Sequence, residues 1–222
     1  MTSTILEPPG VPRPVRGPRI PPPPAGGGDG GDREPGPRRP VLDNVRLAMI
    51  FLISGEVMFF GGLISAFLVL RLSAAVWPPP LQPRLPVAVT GLNTLVLLAS
   101  SATMLAAGRA LRRRDGAAMV RRLLATAGLG ALFVLVQGYE WTRLIGFGLT
   151  LASGAYGSTF YTLIGAHAIH VLGALVWLAV VVALAARGRF LDGRAGPCRA
   201  CAMYWHFVVA LWPVLYVAVY LA

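Results

Sequence analysis

The sequence predicts an all-α protein: a polytopic bundle of five transmembrane helices behind a disordered N-terminal tail. Three observations carry this expectation. Hydrophobic residues make up 55% of the chain against 13% charged, with a mean hydropathy of +0.65, more apolar than a soluble chain of this size tolerates. Five apolar runs are each long enough to cross a hydrocarbon core of about 30 Å. Between them the gaps alternate between arginine-rich and arginine-poor, the pattern that orients membrane proteins. The formal charge of +11 invites a nucleic-acid reading. Its arginines, however, sit in the tail and in short gaps between apolar runs, so nucleic acid is excluded. Every basic side chain other than histidine is arginine.

Residues 1–42 are rich in Pro, Gly and Arg, with the runs Pro21–Pro24 and Gly26–Gly28. Such a segment cannot bury enough apolar surface to offset its ordering entropy, and a disordered cytoplasmic tail is expected. It has no apolar h-region and does not read as a cleaved signal peptide. The domain behind it, 43–222, holds spans at about 47–70, 87–107, 123–140, 156–186 and 203–221.

The first span runs between Arg46 and Arg71 and carries one ionisable group, Glu56, ten positions past Arg46. That places the carboxyl about 15 Å along the axis, near mid-membrane. An ionised carboxylate there costs about 2.5 kcal/mol or more, so pairing, hydration or protonation is expected. Helical spacing puts Ser54, Gly61 and Ser65 on one side, the small residues that permit close helix contact. Glu56, Phe60, Leu63 and Phe67 fall on the other, facing a phenylalanine-lined groove or lipid. Arg46, Phe60, Phe67 and Arg71 are therefore candidate lipid contacts, rings for acyl chains and guanidinium groups for phosphate.

Trp77 and the prolines behind it form a rigid interfacial loop. The second span carries Asn93, Thr94, Ser100, Ser101 and Thr103, polar enough to be held by interhelical hydrogen bonds. The gap from Arg109 to Arg122 is dense in arginine. Glu140 closes the third span beside Trp141 and Arg143, where an interfacial acid is the expected reading. In the fourth span His167 and His170 share one face at mid-depth, and the remaining histidine, His206, opens the fifth. Three imidazoles can make a zinc or copper site. Their depths disagree, so polar contacts between helices are the preferred role and no metal is expected. Cys198 and Cys201 form one CxxC in the fourth gap, read as a pair of reduced thiols because no second pair and no βαβ context accompany it. Arginine density places the N-terminus in the cytoplasm and the C-terminus outside. No phosphate-cradling loop or nucleophile arrangement appears, and no catalytic residue is assigned.

The segments SGEVMFFGGLISAF (54–67), QGYEWTRL (137–144), SGAYGSTFYTLIGAHAIHVLGAL (153–175) and YWHFV (204–208) together resemble subunit III of the haem–copper oxidases, the cytochrome c oxidase type. The resemblance covers nearly everything after residue 43, and five spans match the short bacterial form of that family. It implies a non-catalytic subunit of an aerobic terminal oxidase in the bacterial inner membrane. Haems and copper would belong to subunits I and II. The chain itself would flank subunit I, hold phospholipid in an inter-helix cleft and support proton uptake. It also implies that Glu56 is the family's carbodiimide-reactive carboxyl, and that Glu140, His167, His170 and His206 are polar positions of the family pattern. Val209 stands where the family often has aspartate, and Gly55 where it commonly has serine. The alternative readings are an accessory subunit of a nitric oxide reductase, which shares the fold, and a quinol oxidase subunit III. A stand-alone proton-coupled transporter is disfavoured, since no inverted repeat or broken helix pair is found.

Overall fold

The computed structural model describes residues 44–80, 82, 83, 85–190 and 195–221. The expectation of a disordered tail over 1–42 lies outside these residues. The chain forms α1 (Asn44–Ser73), α2 (Val87–Arg112), α3 (Gly116–Gly146), α4 (Gly154–Ala186) and α5 (Gly196–Tyr216), and α5 runs on into a π-type turn over Val217–Leu221. All five are long and apolar enough to cross a membrane, and among the described residues there is no strand.

The helices outlast the apolar runs. α3 begins seven residues before the expected Leu123 and ends six after Glu140, because its ends carry Arg121, Arg122 and Arg143, which are polar but form good helix. Its start is set by Asp115, whose carboxylate accepts from the Ala118 amide at 2.9 Å, a side-chain N-cap. α5 likewise starts at Gly196, with Pro197 in its first turn, where a missing amide costs nothing. Cys198 and Cys201 therefore do not lie in a gap. They sit in the opening turns of α5 and are buried at 4% and 2% exposure, as free thiols.

Helices α2, α3, α4 and α5 pack in a ring, each against the next, and α1 lies against α4 and α5. The chain alternates direction. Arg71 at the end of α1 donates to the Ala218 carbonyl beyond the end of α5, and the Tyr216 hydroxyl donates to the Val87 carbonyl at the start of α2. Trp77, in the loop after α1, packs edge-on against Phe67 and against Tyr156 at the start of α4.

A polar seam fastens α2 to its neighbours. Asn93 donates to the Phe133 carbonyl of α3 and Thr103 shares a proton with Thr126. The indole N–H groups of Trp205 and Trp212 on α5 donate to Ser100 and Thr94, and Ser101 meets His206. All five polar residues expected to hold this span do so. Each such bond contributes about 0.6–2 kcal/mol between helices in lipid.

On α1 the two faces are exchanged relative to expectation. Ser54, Gly61 and Ser65 are exposed, and none of the described residues lies within 4 Å of a Cβ built on Gly61. The packed face is the one bearing Glu56, Phe60, Leu63 and Phe67. Small residues permit close approach but do not compel it, and the large apolar rings contribute more contact surface within the bundle.

Candidate functional site: a carboxyl–imidazole pair at mid-span

Glu56 lies near the middle of α1 and His170 midway along α4, and the packing of these helices brings the two together. His170 Nε2 stands 2.9 Å from Glu56 Oε2. The other ring nitrogen, Nδ1, is 2.7 Å from the Ala166 carbonyl one turn back. A carbonyl only accepts, so Nδ1 carries a hydrogen. One further proton is then needed between Nε2 and the carboxyl: either the acid is protonated and donates, or the imidazolium donates to a carboxylate. In both states the pair is net neutral. The mid-membrane charge that Glu56 threatened is cancelled locally, which removes most of the cost of placing it there.

The pair is not sealed. The two side chains keep 18% and 20% exposure at the floor of an open groove of about 460 Å³, walled by Phe51, Leu52, Gly55 and Phe59. A phenylalanine-lined groove was expected beside Glu56, and one is present, but with different rings. Phe60 and Phe67 are 1% and 2% exposed. Phe60 packs edge-on against His167 and His170, so its ring is not available to an acyl chain. Phe67 lines a smaller recess of about 130 Å³ between α1 and α4. Arg71 is occupied by the Ala218 carbonyl, whereas Arg46 is exposed and makes no ion pair among the described residues.

The other polar positions separate into distinct roles. His167, one turn before His170, is 1% exposed and stacks on Trp212 with ring centroids 5.0 Å apart. Neither of its nitrogens has a hydrogen-bond partner among the described residues. His206 holds α5 to α2 through Ser101. Glu140 is not a surface acid: it is buried within the chain. Its side chain is 6% exposed, and among the described residues its one ion-pair partner is Arg143, at 3.5 Å, which is itself 49% exposed. Among the described residues no three of His, Cys, Asp and Glu converge in a way that could hold a metal ion.

Sequence reasoning compared the histidines with one another and missed His170 as the partner of Glu56. The available signal was depth: both residues stand at the middle of their spans, on helices that run in opposite directions. Which helices touch is decided by packing and is not written in either segment.

The fold and site define a multi-pass helical membrane protein whose mid-span acid is paired with an imidazole from another span. The sequence matches the cytochrome c oxidase subunit III family over residues 36–222. It is 36% identical over 177 residues to a probable cytochrome c oxidase subunit 3 of Mycobacterium leprae (strain TN), covering 79% of this chain and 87% of that protein. A probable cytochrome c oxidase subunit 3 of Nocardia farcinica (strain IFM 10152) is 35% identical over 178 residues, covering 79% and 87%. Cytochrome c oxidase subunit 3 of Sus scrofa is 35% identical over 186 residues, covering 81% and 70%. The chain belongs to the cytochrome c oxidase subunit III family and is a subunit III of a haem–copper oxidase.

Proposed function

We propose that this chain is the non-catalytic subunit III of an aerobic oxidase in a bacterial inner membrane, seated against the haem-bearing subunit I of a complex that also holds subunit II. Its N-terminus faces the cytoplasm and its C-terminus the periplasm, in keeping with the arginine-rich ends of α2 and α3. The chain supports proton uptake by its partner, and the groove over Glu56 takes a phospholipid acyl chain. The observation that carries this reading is the Glu56–His170 contact at the floor of an open groove: an acid and an imidazole 2.9 Å apart, reachable from outside the helix bundle. The proton can pass between carboxyl and imidazole with the pair staying neutral, whereas uptake or release of one leaves a single charge, borne on two part-exposed side chains at the open groove.

The test is purification of the complex from native membranes with wild-type chain and with Glu56→Gln. Co-purification with haem-bearing subunits, unchanged haem spectra in the variant, and earlier loss of turnover during sustained oxygen reduction are the expected results. A chain that purifies alone as an oligomer contradicts the subunit assignment. A variant whose turnover lasts as long as the wild type contradicts the role given to the pair.

A further inference from the structure

At the arginine-rich end of the bundle, three helices surround a second and larger cavity of about 600 Å³, open on one side. Its rim carries five arginines: Arg46 from the first turn of α1, Arg109 and Arg112 from the last turn of α2, Arg114 from the loop that follows, and Arg199 from the first turn of α5. All five are exposed, and none makes an ion pair or a side-chain hydrogen bond among the described residues. Among the described residues no carboxylate lines the cavity. Arginines at one end of a membrane bundle are ordinary, and orientation alone explains their number. Orientation does not explain why these five, drawn from separate elements, converge on one concavity while Arg113, Arg121 and Arg122 nearby do not line it.

Two further features suit an anion. The cavity reaches the N-terminus of α5, whose N-cap is Ala195, a residue with no side chain able to satisfy the first amides. Uncapped amides and the positive end of the helix dipole favour negative charge there. Beneath the rim the lining turns apolar, with Met104, Ala107 and Met203, and His206 at the side. Met104 lies two turns along α2 from Arg112, so the cavity runs about 12 Å into the bundle. Its volume is that of a ligand pocket rather than of a single ion.

We propose that this cavity is a binding site for a phosphate-bearing anion, the guanidinium rim holding the phosphate and the apolar interior receiving the remainder of the molecule. Guanidinium groups bind phosphate oxygens in bidentate fashion, and several around one opening recognise more than one phosphate oxygen at a time. An anionic phospholipid headgroup and a soluble phosphate compound share this chemistry. The site is separate from the groove over Glu56 and does not depend on the role given to that pair.

The experiment uses the complex purified from native membranes, with two probes. Inorganic pyrophosphate is titrated calorimetrically. Retention of phosphatidylglycerol against phosphatidylcholine is measured by native mass spectrometry after reconstitution in each lipid. Saturable binding of at least one probe is expected, weakened at least tenfold in Arg109→Gln/Arg112→Gln/Arg199→Gln. The matched variant Arg113→Gln/Arg121→Gln/Arg122→Gln removes the same charge outside the cavity and is expected to change binding less than twofold. Phosphatidylglycerol retained without pyrophosphate binding identifies a headgroup, and pyrophosphate binding identifies a soluble ligand. Failure of both probes to saturate, or equal weakening by the two triple variants, overturns the proposal. If the cavity triple does not assemble, the single Arg199→Gln variant is read in the same way.

Discussion

Removing either half of the Glu56–His170 pair should cost more than removing both. In Glu56→Leu, His170 keeps its bond to Ala166 but loses the partner of Nε2. In His170→Leu, the carboxyl faces the groove without its hydrogen-bond partner. An unsatisfied polar group costs about 1–3 kcal/mol when buried. Because each side chain here keeps 18–20% exposure, the lower half of that range applies, about 1–2 kcal/mol for each single variant. The double variant Glu56→Leu/His170→Leu places two aliphatic side chains on a groove already walled by Phe51, Leu52 and Phe59, and no polar group is stranded. It should therefore cost no more than about 1 kcal/mol relative to the wild type, and set against a summed single-variant cost of about 2–4 kcal/mol this gives a coupling energy of about 1–4 kcal/mol. The measurement is the thermal and detergent unfolding of the purified complex for all four members of the cycle. Additivity within about 0.5 kcal/mol would mean that the two groups do not interact, and the shared-proton account would then be wrong. Glu56→Gln belongs beside the cycle: the amide can still accept from or donate to Nε2, so it should lose only the charge-assisted part, about 1 kcal/mol.

Gly130→Ala on α3 should destabilise by about 1–3 kcal/mol. Its Cβ would stand 2.5 Å from the Trp205 ring, and that ring is pinned by its bond to Ser100. Gly128→Ala, with nothing within 4 Å, should be neutral or stabilising by up to about 1 kcal/mol, so equal melting temperatures for the two variants would count against the packing argument. Asp115→Ala removes the N-cap of α3 and should cost about 1 kcal/mol, read as a lower unfolding midpoint that Asp115→Asn largely restores. Cys198 and Cys201 should resist iodoacetamide in the folded complex and react only after denaturation, because both are buried. Rapid labelling of the native protein would show that the start of α5 opens readily.

Some features of this protein are properties of segments, and segments are legible. Apolar length specified five spans, because a helix must satisfy its own backbone wherever water is excluded. The five hydroxyl and amide residues of α2 announced a polar seam, because such groups in a span must find partners in neighbouring helices. The four quoted motifs marked the family. Other features are properties of neighbours. The face α1 turns inward was settled by how Phe60, Phe67 and Glu56 fit against α4 and α5, not by the spacing of its small residues. Glu140 looked interfacial because it closes an apolar run, yet α3 continues past it and the carboxyl is enclosed.

By itself the sequence determined the class of protein, the number of spans and the mid-span depth of Glu56, His167 and His170, but not the depth of Glu140 and His206, whose helices outlast their apolar runs. The tertiary structure alone decided which of those groups meet. Glu56 acquired His170, Ser101 acquired His206, and five arginines from separate stretches acquired a common cavity. The physical reason is that depth follows from counting residues along one axis, whereas contact depends on which faces of different helices pack together.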